Sequence, residues 1–153
     1  MQRFNRHRSL QVFTNGEQFY EEELAAISAA KRSINLEAYI FHEGKIGNRF
    51  VDQLAKQARN GVKANLILDA IGNARTRKSF FAKLEAAGGR VSWYNGSRWN
   101  KLPRFNNQTH RELLVIDGHV GFVGVRELRT SGGRERRVNR PGATQWFELK
   151  GMP

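Results

Sequence analysis

The hydrophobic pattern of the chain alternates between strand and helix periods over most of its length. A short apolar run, LQVFTNG, ends in a turn dipeptide and predicts a strand. In the following EQFYEEELAAISAAKRS, the residues Phe19, Leu24 and Ile27 recur near helical spacing, and the acidic residues come early, where they suit the helix dipole. INLEAYIF then alternates as a second strand. The pattern therefore predicts strand, helix and strand in succession.

The same alternation continues to residue 124. KIGNRFVDQLAKQARNG predicts a second helix, VKANLILDA a buried strand, RTRKSFFAKLEAAGG a third helix and VSWYN another strand. HRELLVID and HVGFVG are expected to form a hairpin across Asp117 and Gly118. Strands that alternate with helices of this length predict an α/β layered sandwich, a mainly parallel mixed sheet flanked by helices.

Length and pattern together predict one domain. A chain of 153 residues can form one hydrophobic core and hardly two. We assign residues 10–124 to this domain and residues 1–9 to a basic N-terminal segment. Residues 125–153 have neither periodicity nor a plausible core, so an irregular basic tail is expected there.

Composition and charge exclude several classes of function. The absence of cysteine excludes disulfides, thiolate metal sites and cysteine nucleophiles. The net charge of +12 suggests a polyanionic partner, but residues 124–153 alone hold seven Arg and Lys against three Glu, which leaves a modest excess on the domain. No apolar run is long enough for a signal peptide or a membrane span, so a cytoplasmic chain is expected. The strand at residues 62–70 is not followed by a glycine-rich phosphate loop, and the histidines lack metal-ligand spacing.

The candidate chemistry lies in THRELLVIDGHVGFVG, residues 109–124. His110 begins a predicted strand, Glu112 lies on the same strand face two residues later, and Asp117 stands at the far end. A histidine among polar side chains at a sheet edge can act as a nucleophile or as a general acid or base, because its pKa is near neutrality. A surface histidine without a catalytic role stays open on this local pattern alone.

These residues resemble the phospholipase D superfamily, whose signature is H-x-K-x(4)-D followed by a glycine step. His110, Asp117 and Gly124 match that spacing, and Glu112 stands where the signature has lysine. The wider run from TNGEQFYEEELAAISAAKRSINLEAYIF through NNQTHRELLVIDGHVGFVG resembles the N-terminal half of bacterial cardiolipin synthases. The resemblance covers roughly residues 10 to 124.

The resemblance implies a mechanism in which two such motifs meet at one active site. One histidine attacks phosphorus to give a phosphohistidine, the other protonates the leaving alcohol, and lysines bind the phosphate oxygens without a metal or other cofactor. His110, Glu112 and Asp117 are then the candidate catalytic residues, with Asp117 expected to steady the motif turn. Candidates for contacts with phosphate or water are Asn106, Asn107 and Glu37, for which a surface position on its strand stays open.

The implied partners are a phospholipid of the phosphatidylglycerol or cardiolipin type and a second half, or a second copy, that completes the site. Peripheral contact with the inner membrane is expected, since aromatic and basic residues interleave before the motif and both favour the headgroup layer. These residues, which equally suit a loop packed on its own domain, are Trp93, Tyr94, Arg98, Trp99, Lys101, Arg104 and Phe105. Nucleic acid is the less favoured partner.

Glu112 leaves alternatives open. A carboxylate would repel a phosphodiester that lysine would clamp, so this half is either degenerate or of a type in which the second motif supplies the lysine. The competing functions are a single-motif nuclease that works as a homodimer and a catalytically inactive binding module.

The tail suggests a shifted reading frame. For residues 124–132 and 141–151, codons can be chosen that the genetic code permits, and the same bases can then be translated in the frame that starts two bases later. The products are GAGIADQW and WRDTMVRIEG, which resemble the segments downstream of the first motif in cardiolipin synthases. The alternative is a genuine basic tail that binds nucleic acid, and a compact tail docked on the sheet would count against the shifted frame.

Overall fold

The structure, a computed structural model, describes residues 9–13, 15–94, 112–124 and 146–150. Its elements in chain order are β1 (Ser9–Phe13), α1 (Gly16–Ala29), β2 (Ser33–Ala38), α2 (Lys45–Arg59), β3 (Lys63–Asp69), a 3-10 helix (Lys78–Phe81), α3 (Ala82–Ala86), β4 (Arg90–Tyr94), β5 (Glu112–Ile116), β6 (Val120–Gly124) and β7 (Trp146–Lys150). The described strands form one sheet in the order β1-β7-β6-β5-β2-β3-β4.

The α/β layered architecture expected from the sequence is confirmed. Parallel pairing is confined to β2-β3 and β3-β4, whereas the four other described pairs are antiparallel. The helix α2 and the helical segment after β3 each return the chain to the end of the sheet where the preceding strand began, which makes β2, β3 and β4 parallel. The β5-β6 hairpin needs only a tight turn and is therefore antiparallel, as its sequence predicted.

The first two helices begin and pack as their patterns indicate. The Asn15 side chain accepts a hydrogen bond from the Glu17 amide at 2.9 Å, which caps the N-terminus of α1. The buried face of α1 includes Phe19 and Ile27, and that of α2 includes Phe50 and Leu54. Both faces cover the same side of the sheet, where alternate residues of β2 and β3 are buried.

Aromatic rings form much of this core. Phe19 contacts Phe13 and Phe122 edge-on, and Phe41 contacts Phe50 and Phe81 in the same way. Each ring removes a large apolar area from water, and the tilted geometry adds a modest electrostatic gain. This core holds together the strand ends that carry the candidate site.

The third helix is shorter than its sequence pattern predicted. Residues 78–81 form a 3-10 turn, and the α-helix covers only residues 82–86. Phe80 and Phe81 both turn toward Phe41, and Phe81 also contacts Trp93. Gly88, at φ +91°, then ends the helix before β4.

The C-terminal segment differs from the expected irregular tail at residues 146–150. These residues form β7, whose backbone pairs antiparallel with both β1 and β6. Without β7, the facing edges of β1 and β6 would leave backbone N–H and C=O groups unpaired, and β7 supplies their hydrogen-bond partners. This docked strand counts against an irregular tail at these five positions.

Candidate active site

The aspartate of the motif, Asp117, anchors the β5-β6 turn to the beginning of β2. Its carboxylate accepts hydrogen bonds from the backbone N–H groups of Lys31 at 2.9 Å, Arg32 at 2.7 Å and Ser33 at 2.8 Å. Its own N–H donates to the Ser33 carbonyl at 2.8 Å, and the Arg32 guanidinium donates to its carbonyl at 2.9 Å. Asp117 therefore ties together two chain segments more than 80 residues apart.

The electrostatics of Asp117 follow from these contacts. Partial burial opposes its ionisation, but the donors of Ser33, Lys31 and Arg32 outweigh that effect and lower the pKa of the carboxyl. Asp117 also adopts φ +53°, a left-handed conformation that aspartate tolerates better than most residues. The interactions of its carboxylate with the backbone are those of a residue that shapes the turn.

Glu112 lies at the opposite end of β5, about 17 Å from Asp117 along the strand by the rise of an extended chain. It pairs with Ala38 of β2 and with Gly124 of β6, and its side chain is fully buried on the helix-covered face. This burial raises the pKa of Glu112 to about 8. The raised pKa favours the protonated form of the side chain, which carries no charge to repel a phosphate.

A second buried acid, Glu23 of α1, faces Glu112. Glu23 is also fully buried, and its pKa is raised well above the ordinary value, first by burial and second by the charge of Glu112. None of the four carboxyl oxygens of the two residues has a hydrogen-bond partner among the described residues. Glu23 was not expected at the site from the sequence, although its spacing of four residues from both Phe19 and Ile27 places it on the apolar face of α1.

Glu112 begins β5 at the edge where the parallel strands β2 and β3 end, and two loops are locked together there. The Asn73 side chain accepts from the Phe41 N–H at 2.6 Å and donates to the carbonyls of Tyr39 at 2.9 Å and Asp69 at 2.8 Å. The Thr76 hydroxyl donates to the Phe41 carbonyl at 2.9 Å. Ligands of α/β proteins bind at the carboxyl ends of parallel strands, so these loops form a rigid border for a site at this edge. Asn73 is a second residue whose role was not expected from the sequence.

The other sequence-predicted site residues do not all meet Glu112. Glu37 pairs with Leu113, and both lie on the sheet face opposite to Glu112. His110, Asn106 and Asn107 lie outside the described residues. The described part of the chain thus brings Glu112 to the edge of the sheet near Glu37, on opposite faces, and places Asp117 at the far end.

The aromatic and basic residues before the motif are described only at their beginning. Trp93 packs against Phe81 and lies 5.6 Å below the Lys78 ammonium, whereas Tyr94 is 59% exposed. Trp99, Phe105 and the three basic residues lie outside the described residues. Within residues 15–94 and 112–124, no helix is long and apolar enough to cross a membrane, and no group of three or more His, Asp or Glu side chains is placed to hold a metal ion.

Comparison with known proteins decides the family. The family model described as "Cardiolipin synthase, PLD-like domain" matches residues 24–134, which include the C-terminal part of α1, the motif and the paired strands β5 and β6. The chain belongs to this family. The matched residues include His110, Glu112 and Asp117.

Curated relatives support this membership. The chain is 39% identical over 119 residues to the cardiolipin synthase of Listeria innocua and 35% identical over 122 residues to the major cardiolipin synthase ClsA of Bacillus subtilis. These matches cover 75% and 79% of this chain but only 24% and 25% of the relatives. The chain matches about a quarter of the length of these proteins.

Solved structures confirm the fold. Nuc, a phospholipase D family member from Salmonella typhimurium, superposes with a TM-score of 0.64 at 18% identity and covers 96% of this chain and 86% of its own. NucT from Helicobacter pylori gives a TM-score of 0.63 at 16% identity, with 94% and 84% covered. At this identity the likeness concerns the fold alone.

Proposed function

We propose that this chain is the first-motif part of a phosphatidyltransferase of the cardiolipin synthase type, which transfers a phosphatidyl group between lipid alcohols. The observation that carries the proposal is the family match, which includes the His110 to Asp117 motif. The chain matches only about a quarter of the length of the relatives named cardiolipin synthase, so it is proposed to hold one part of the machinery that the reaction requires.

In the proposed reaction, His110 is one of two histidines at the same phosphorus. A phosphodiester carries negative charge, so attack by a neutral imidazole requires nearby positive donors and a fixed line of approach. The second histidine and the lysines come from a second motif, and Glu112 contributes no charge at neutral pH. Asn106, Asn107 and Glu37 are proposed to contact phosphate or water at the same edge, and the substrate is a phospholipid of the phosphatidylglycerol type held at a membrane surface.

Activity of the purified chain tests the incomplete site. We expect little or no turnover of phosphatidylglycerol, since loss of a positioned acid costs about 10²–10⁴-fold and loss of charge stabilisation roughly another 10²–10³-fold. The control is His110→Ala measured beside it. Robust turnover that disappears in His110→Ala would replace the proposal with a working single-motif dimer.

Transplantation tests the transferase function itself. Residues 10–124, which keep Glu23 together with Glu112, replace the corresponding part of the Bacillus subtilis relative, and cardiolipin formation is measured with and without His110→Ala. Cardiolipin formation that depends on His110 supports the proposal. A chimera that folds but forms no cardiolipin, together with plasmid nicking by the unaltered chain, would favour the nuclease; inactivity in both assays would favour a binding module.

We propose the shifted reading frame for the residues after Val123; the paired strand at residues 146–150 counts against it at those positions, and the sequence of the encoding gene tests it directly. A gene that lacks the required codons at positions 124–132 and 141–151 removes it.

A further inference from the structure

The two buried glutamates form the most unusual polar feature of the described chain. Glu23 projects from the middle of the buried face of α1, between Phe19 and Ile27. Glu112 lies at the first position of β5, on the same buried face as Leu114 and Ile116, and is close enough to Glu23 of α1 for its charge to act on that residue. Both side chains are 0% exposed, and neither has a hydrogen-bond partner among the described residues.

Among the described residues, no lysine, arginine or histidine is buried with the pair. The buried residues of α1, β2, β5 and β6 are apolar, apart from the pair itself and the titratable hydroxyl of Tyr20 on α1. Among all described residues, the buried polar side chains are Glu23, Gln57, Asp69, Asn73, Thr76 and Glu112, and none is a lysine, arginine or histidine. An ionised carboxylate in such surroundings is costly, and two ionised carboxylates side by side are more so.

A protonated carboxyl group resolves both difficulties, because it gains one O–H donor and keeps acceptor capacity. Two such groups on facing elements satisfy each other's oxygens without another partner. We propose that Glu23 and Glu112 are joined by a hydrogen bond through an acidic proton, forming a carboxyl pair that fixes the beginning of β5 against α1. Glu23 is then a positioning residue for the motif strand, whose histidine precedes Glu112 by two residues.

The functional meaning of the pair rests on the proposed function, but its existence does not. Glu112, at the third position of the motif, then packs β5 on α1 and does not bind phosphate. The pair therefore explains how glutamate can stand where the signature has lysine while β5 keeps its position against α1.

The test is the pH dependence of unfolding of the full chain by urea, which requires no turnover. Groups that keep a proton in the folded state and lose it on unfolding stabilise the protein fully at low pH, and the stability is lost as the pH rises from 4.5 to about 8. With one to two protons held by the pair, the unfolding constant of the wild type should rise about 10- to 100-fold per pH unit within this range.

Three variants identify the groups responsible. Glu23→Gln and Glu112→Gln should each reduce this dependence, and the double variant should abolish it, because an amide pair has no proton to lose. Glu22→Gln, the exposed neighbour on α1, is the matched control and should keep the wild-type profile.

The sign of the profile separates the alternatives. A basic partner or a bound cation would lower the carboxyl pKa values, so stability would be lost with falling pH, and that result overturns the proposal. A double variant that retains the wild-type profile also overturns it. If the double variant does not fold, infrared absorption of protonated carboxyl groups in the wild type at pH 7 decides, and its absence counts against the pair. If the wild-type chain shows the expected loss of stability with rising pH but the chimera forms no cardiolipin, the proposed function is refuted and the carboxyl pair is not.

Discussion

Replacement of Asp117 by alanine should loosen the connection between the β5-β6 turn and the beginning of β2. Alanine removes a carboxylate that accepts three backbone hydrogen bonds, from Lys31, Arg32 and Ser33. Hydrogen bonds to charged groups contribute about 1.5–3 kcal/mol each when well shielded, and partial exposure with shared geometry reduces their sum. Alanine also adopts φ +53° less readily, at a cost of about 1 kcal/mol.

We therefore expect Asp117→Ala to lower the free energy of unfolding by about 2–4 kcal/mol. Asp117→Gly keeps the conformational freedom and should recover about 1 kcal/mol of this loss. Asp117→Asn keeps one acceptor oxygen but presents a donor toward a backbone N–H, so we expect a loss of about 1–2 kcal/mol.

Urea denaturation at pH 7, followed by circular dichroism, measures these changes. Asp52→Asn serves as the control, because the exposed ion pair of Asp52 with Lys83 should contribute less than about 1 kcal/mol. The pKa of Asp117 is lowered in the folded state, so its contribution is complete above its ordinary value of 3.8 and is lost as the pH falls through the folded value. A stability of Asp117→Ala within about 0.5 kcal/mol of the wild type would refute this account of the motif aspartate.

Three further substitutions test other parts of the site. Glu112→Lys should fold, since Glu23 can ionise and pair with the new ammonium. Adding Glu23→Gln leaves that buried charge unpaired and should lower the free energy of unfolding in urea by a further 3–5 kcal/mol or so. Equal stabilities of the single and the double variant would contradict this. Asn73→Ala should lower the free energy of unfolding by about 2–4 kcal/mol, because the buried Phe41 N–H loses its acceptor and the carbonyls of Tyr39 and Asp69 each lose a hydrogen bond; a loss below about 1 kcal/mol would show that the two loops do not depend on it. Gly72→Ala should reduce the thermal midpoint strongly, since its Cβ would lie 2.1 Å from the Tyr39 carbonyl oxygen, whereas Gly121→Ala, whose nearest atom is 3.9 Å away, should change it little.

Much of the fold could be predicted because local pattern and final structure agree in most elements. The apolar spacing in α1 and α2, the alternation in β2 and the Asp-Gly turn between β5 and β6 each depend on residues close together in the chain. The third helix was less predictable, because Phe80 and Phe81 pack toward Phe41, which lies about 40 residues away, and this packing favours a 3-10 turn. The antiparallel pairing of β5 with β2 and the insertion of β7 between β1 and β6 depend on which sheet edges remain free, which no local pattern encodes.

The candidate site divides in the same way. The sequence, through its resemblance to a family signature, predicted the motif from His110 to Asp117 and the departure at Glu112, because these positions are close together in the chain. Only the tertiary structure decided that Asp117 binds the backbone at residues 31–33, that Glu37 and Glu112 lie on opposite faces, and that Glu112 meets Glu23 in the core. The charge of a carboxyl group depends on its surroundings, and those come from elements that are distant in sequence. For that reason a glutamate whose residue type predicts a repulsive charge lies buried in the folded protein, where its neutral form is favoured.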